Sequence, residues 1–171
     1  LFVDNQDRIW ITDAATMQVC QVDAKTGTLV RTVGSSGTKD GQFYLPLDLE
    51  ALPGGDIVVA DMKNYRLQRV GPDNTFRLKF GRITDKRVPF DGEVWYVAGV
   101  TCDEAGNIYV SDRNLKTIQK YDGEGKFVAR VASGLRGEPA DLAWAKGRIY
   151  CVDADGTRIF AVGTDGKQLA A

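Results

Sequence analysis

Gly55-Asp-Ile-Val-Val-Ala-Asp61, followed at once by Met62-Lys-Asn-Tyr-Arg-Leu-Gln68, is the stretch on which the fold of this chain turns. Four apolar residues end on a carboxylate, with Asn-x-Arg just behind it. Taken singly it invites a ligand-site reading. The same ending recurs, however, as Ile9-Trp-Ile-Thr-Asp13, Ile108-Tyr-Val-Ser-Asp112 and Ile149-Tyr-Cys-Val-Asp153, with the aspartates 48, 51 and 41 residues apart. Self-similarity at such a period marks a repeat architecture, in which one unit is one small sheet.

Each unit supplies the other parts of a sheet. A tight polar turn precedes each isoleucine: Asp7-Arg8, Gly54-Gly-Asp56, Gly106-Asn107 and Lys146-Gly-Arg148. A further strand follows each aspartate: Gln18 to Val22, Arg66 to Val70, Thr117 to Tyr121 and Arg158 to Val162. A second polar turn and an outer strand complete the unit, and the innermost strand is the run before the opening hairpin: Leu47 to Leu52, Ala98 to Cys102 and Ala140 to Trp144. Four antiparallel strands per unit of this length predict an all-β protein, a β-propeller of about four blades occupying residues 1–34, 43–81, 95–132 and 138–171.

These residues resemble the NHL repeat. The likeness is carried by Asp40-Gly-Gln-Phe43 with Leu45-Pro46, by Asp61 with Asn64-x-Arg66, by Phe80-Gly81, and again by Ala105-Gly-Asn-Ile-Tyr-Val-Ser-Asp112 with Ile118-Gln119. The first and fourth units depart from it: Asp13 lacks the Asn-x-Arg, and the fourth keeps Asp155-Gly-Thr-Arg158. The resemblance implies a parent propeller of six blades, a bacterial and extracytoplasmic setting, and functions as varied as the family. Leu1 aligns with the middle of an innermost strand, which predicts chain upstream of it.

Composition removes several classes of chemistry. The 171 residues carry 22 basic and 23 acidic side chains, a formal net charge of -1, so no whole-molecule field draws nucleic acid. No histidine is present, which excludes serine–histidine and cysteine–histidine catalysis and the histidine-zinc site of the amidating lyase that shares this propeller type. Cys20, Cys102 and Cys151 lie in apolar or alternating runs and read as small strand residues, with one disulfide plus a free thiol as the alternative.

Candidate sites divide into what repeats and what does not. Asp13, Asp61, Asp112 and Asp153, with Arg66, read as framework: a carboxylate at a strand end accepts backbone N–H groups of the next turn and pairs with an arginine opposite. Where units disagree, function is sought. The innermost strands have Asp48 and Asp141 at the position of Gly99, and Glu50 shares a face with Asp48. These three carboxylates are the candidate metal set, suited to a divalent ion such as calcium, and the resemblance to gluconolactonase-type propellers implies a metal-dependent hydrolase there. The long connection 81–97 mixes Arg82, Lys86 and Arg87 with Phe90, Trp95 and Tyr96, the material of a protein-binding surface, to which Lys63, Tyr65 and Arg113 add themselves from neighbouring loops. The leading expectation is a non-enzymatic scaffold binding a protein partner, as a module or as a subunit of a larger assembly, without a cofactor; the channel hydrolase is the alternative, and single-stranded RNA binding comes third.

Overall fold

The computed structural model describes residues 1–4, 7–83 and 91–164, and the backbone of 168–169. Four antiparallel sheets of four strands follow one another along the chain, each in simple up-and-down order. Blade 1 holds β1 (Phe2–Val3), β2 (Arg8–Asp13), β3 (Gln18–Asp23) and β4 (Leu29–Val33). Blade 2 holds β5 (Pro46–Ala51), β6 (Ile57–Asp61), β7 (Arg66–Val70) and β8 (Phe76–Phe80), with one turn of 3-10 helix, Met62–Asn64, between β6 and β7. A short parallel pair, β9 (Arg82–Ile83) and β10 (Glu93–Val94), lies in the connection to blade 3. Blade 3 is β11 (Val97–Cys102), β12 (Ile108–Asp112), β13 (Thr117–Tyr121) and β14 (Phe127–Ala132); blade 4 is β15 (Pro139–Ala145), β16 (Arg148–Asp153), β17 (Ile159–Gly163) and β18 (Gln168–Leu169). The chain is thus all-β, with its blades in propeller arrangement.

Burial explains why these runs are strands. All five residues of β6 and of β12 are buried, since each lies in a blade covered by neighbours on both faces, and such strands read as continuous apolar runs. Strands β2 and β16, in blades flanked on one side, show mixed burial instead. Three apolar clusters fill the spaces between consecutive blades: Trp10, Val19, Phe43 and Val59 between blades 1 and 2; Leu67, Phe80, Val94 and Val110 between 2 and 3; Tyr109, Ile118, Ile149 and Phe160 between 3 and 4. Aromatic pairs cross these layers, with Tyr109 stacked on Trp144 at 5.4 Å. Cys20, Cys102 and Cys151 are all free thiols, so no disulfide joins them, and burial raises the pKa of each.

The innermost strands β5, β11 and β15 lie side by side, which brings the blades' backbones very close. Gly99 is where they meet: a Cβ there would stand 2.4 Å from the Ala140 carbonyl oxygen and 2.9 Å from Asp141 Cα. Ser111 Oγ bridges the same gap, accepting from the Gly99 N–H at 2.8 Å and donating to the Ala140 carbonyl at 2.6 Å.

Candidate functional site

The strand pairing gives an exact equivalence between blades, because Pro46, Val97 and Pro139 stand opposite Asp61, Asp112 and Asp153. Asp61 has no exposed surface. Its Oδ1 accepts the Tyr44 N–H at 2.7 Å, and its Oδ2 accepts from Asn64 Nδ2, Arg66 Nε and Gln68 Nε2 at 2.8, 2.9 and 3.0 Å. Arg66 then reaches on to the carbonyls of Lys39 and Gln42, which fastens the connection 34–45 across the end of blade 2. Asp112 faces Thr117 instead of an arginine and accepts the N–H groups of Trp95, Tyr96 and Leu115; burial nonetheless raises its pKa above the usual value. Asp153 binds Arg158 Nε at 2.8 Å, and Asp13 accepts the Ala15 and Thr16 N–H groups in an exposed turn.

The three channel carboxylates line one cavity of about 350 Å³, with Phe2, Thr101 and Trp144 among its other walls. They are not idle there. Asp48 Oδ2 accepts the Val100 N–H of the next blade at 2.8 Å, while Glu50 accepts the Thr101 hydroxyl and its own neighbour's N–H, Ala51, both at 3.1 Å. Thr101 Oγ1 in turn accepts the Trp144 N–H at 3.0 Å, so a relay runs from blade 2 through blade 3 to blade 4. Asp141 accepts the Leu142 N–H and is exposed. Among the described residues no group of three or more histidine, cysteine, aspartate or glutamate side chains is arranged to hold a metal ion. Asp48 and Glu50 each accept a hydrogen bond from blade 3, whereas Asp141 is bonded only to the N–H of its own neighbour.

Burial pushes the Glu50 carboxyl up to about 7 against the pull of the Thr101 hydrogen bond, and Asp48 up to about 6 against that of the Val100 N–H. Both acids therefore hold their protons more tightly folded than unfolded. Their contribution to stability is fully present below about pH 4 and is lost as pH rises through about 6 and then about 7, the folded values of Asp48 and Glu50, with the loss complete only above the second. Glu50→Gln is expected to flatten this decline and to leave the variant more resistant to urea than the parent at pH 8; parallel midpoint–pH profiles from pH 4 to 8 would refute the assignment.

The residues expected to bind a partner gather at the blade ends that carry the repeated aspartates. Lys63 is exposed on the 3-10 turn, and Tyr65 closes that turn in the left-handed region, at φ 54°. Trp95 is 41% exposed, Tyr96 lies 5.0 Å beneath the Arg113 guanidinium, and Arg113 also pairs with Glu138 at 3.0 Å. Arg82 is exposed and reaches Glu93 at 3.3 Å. Lys86, Arg87 and Phe90 lie outside the described residues. Sequence reasoning missed Tyr44, which is 48% exposed and stands at the position equivalent to Trp95. Counting back from each innermost strand, rather than forward from each aspartate, is the signal that finds it. Also missed was a cleft of about 410 Å³ between blades 3 and 4, rimmed by Arg113, Lys116, Arg136 and Arg158 with Glu138 and Asp153.

No protein-family model matches the chain. It is similar to Protein brain tumor of Drosophila melanogaster, 28% identical over 139 residues, 80% of this chain and 13% of that protein. It is similar also to a probable peptidyl-alpha-hydroxyglycine alpha-amidating lyase of Caenorhabditis elegans, 26% identical over 160 residues, 89% of this chain and 44% of that one. The chain thus spans less than half of either relative. Among solved structures, one from the nidogen/laminin complex superposes with a TM-score of 0.77 at 19% identity, covering 98% of this chain and 61% of that one, a likeness of fold. Among the described residues no helix is long and apolar enough to cross a membrane.

Proposed function

We propose that this chain is a non-enzymatic propeller scaffold that offers the aspartate-bearing ends of its blades to a protein partner. The observation that carries the reading is the pair Tyr44 and Trp95, two large aromatic rings left 48% and 41% exposed at equivalent positions of adjacent blades. Each is held by its backbone N–H on a buried aspartate, so the ring is presented from a rigid base without ordering cost. Lys63, Tyr65, Arg82, Tyr96 and Arg113 supply a polar and cationic surround, the composition in which binding energy concentrates. Asp48 and Glu50 of the channel, by contrast, accept hydrogen bonds that join blade 2 to blade 3.

The test is chemical crosslinking and pulldown from the source cells with the parent chain and a Tyr44→Ala/Trp95→Ala double variant. Neither ring belongs to a core cluster, so the variant is expected to fold normally and to lose at least tenfold in captured partner. Equal capture by a folded double variant would remove the assignment. The competing reading, a divalent-metal-dependent hydrolase in the channel, draws support from Asp48 and Glu50 titrating near neutrality, as an acid–base pair must. It requires calcium uptake that Asp48→Asn abolishes, and a calorimetric titration without uptake by the parent rejects it.

A further inference from the structure

The connections between blades are built to one plan, and the third breaks it. In the first, the chain leaves β4, makes an excursion and returns alongside itself, with Ser36 bridged in parallel to Phe43; in the second, Ile83 is bridged in the same way to Val94. The returning limb reads Asp40-Gly-Gln-Phe43 and Asp91-Gly-Glu-Val94, with Gly41 and Gly92 in the left-handed region at φ 78° and 77°, and it plants a fully buried side chain, Phe43 or Val94. The third connection has only the returning limb, Ser133-Gly-Leu-Arg136, with Gly134 again left-handed at φ 62°. Arg136 stands where Phe43 and Val94 stand, and it is exposed.

The consequences show on the strand opposite. In blades 2 and 3 a buried glutamine, Gln68 or Gln119, donates to the limb's backbone carbonyl at 2.7 Å, that of Gln42 or Glu93. The equivalent residue of blade 4 is Phe160, which packs in one cluster with Leu135. In blade 2 the excursion covers the strand end: Arg66 Nη2 donates to the Lys39 and Gln42 carbonyls and Asn64 to the Gly37 carbonyl, leaving the Arg66 side chain 10% exposed. In blade 4 no described residue covers it in this way, and the Arg158 side chain is 51% exposed. What remains is an apolar cleft of about 320 Å³ bounded by Leu135, Gly137, Thr157, Ile159 and Phe160, open at Arg136 and Arg158 to the cationic cleft already described.

We propose that this cleft binds an extended peptide segment of a partner protein, laid where blade 2 lays its own excursion. The reading rests on the scaffold function proposed above. The segment's chemistry follows from what the slot lacks. Its backbone carbonyls meet the Nη groups of Arg158, which make no hydrogen bond among the described residues, as those of Lys39 and Gln42 meet Arg66. One apolar side chain covers Leu135, Ile159 and Phe160, and one carboxylate pairs with Lys116 or Arg136, which make no ion pair among the described residues, whereas Arg113 and Arg158 are already matched by Glu138 and Asp153. Main-chain bonds with one side-chain pocket are the usual economy of extended-peptide recognition.

The natural probe is the protein's own excursion, a capped synthetic heptapeptide copying Gly37-Thr-Lys-Asp-Gly-Gln-Phe43, titrated into the isotopically labelled chain and followed by amide chemical shifts. Saturable shifts confined to residues 135–137 and 154–160 are expected, weakened at least tenfold by Arg136→Glu. A second variant with residues 34–40 grafted ahead of Ser133 plugs the slot with its own chain and is expected to show no peptide shifts there. Binding that the graft leaves unchanged, or no saturation by the parent at millimolar peptide, overturns the proposal. If partner capture through Tyr44 and Trp95 persists while the peptide fails, the slot alone is refuted; if capture itself fails, the scaffold function falls with it.

Discussion

Asp61→Ala is expected to lower the free energy of unfolding by about 3–5 kcal/mol, the cost of leaving a buried charge without its partner. The Tyr44 N–H and the Asn64, Arg66 and Gln68 side chains all converge on this carboxylate, and it is wholly buried. Removing it leaves the Tyr44 N–H and Arg66 Nε without an acceptor and takes one of two acceptors from each of the Asn64 and Gln68 amides. Asp61→Asn does little better, because its new amide hydrogens would face donors. Asp13→Ala is the internal control: Asp13 accepts two backbone N–H groups in an exposed turn, a loss of about 1 kcal/mol. Equal urea midpoints for the Asp61 and Asp13 variants would show that the buried network stabilises nothing.

Gly99→Ala is the second large effect, about 1–3 kcal/mol or more, from overfilling a contact between backbones. The new methyl meets the Ala140 carbonyl oxygen, Asp141 Cα and the Leu142 nitrogen, none of which can rotate away as a side chain would. Blades 3 and 4 must separate, and the Ser111 bridge between them opens. At about 2–4 °C per kcal/mol for a chain of this size, the melting temperature falls by several degrees. A variant that melts with the parent would mean that the inner strands slide apart at no cost.

The fold was legible because the repeat is written in residues that do a local job. Asp61 and Asp112 each lie at the end of a short apolar run, and a search at fixed spacing finds them without any structure. Even the placing of Asp48 and Asp141 opposite Gly99 in the repeat follows from counting. The rest depends on contacts between units. That Asp48 accepts the Val100 N–H, 52 residues away, is a matter of how one blade leans on the next, and no period in the chain records it. The exposed pair Tyr44 and Trp95 escaped for a simpler reason, since they sit in connections of unequal length where forward counting loses register. Arg136 escaped for the same reason, its kinship with Phe43 and Val94 being visible only once strand pairing aligns Pro139 with Pro46 and Val97.

The three tryptophans are distributed so that each samples a different environment. Trp10 is sealed between blades 1 and 2, its indole N–H donating to Asp4 at 2.9 Å and Arg31 lying 5.0 Å over its ring. Trp144 is stacked on Tyr109 at the join of blades 3 and 4, and Trp95 faces water. Indole emission moves to longer wavelength as the ring meets solvent, so single-tryptophan variants would turn one spectrometer into three local gauges: the first for separation of the leading blades, the second for the far join, and the third for arrival of a partner.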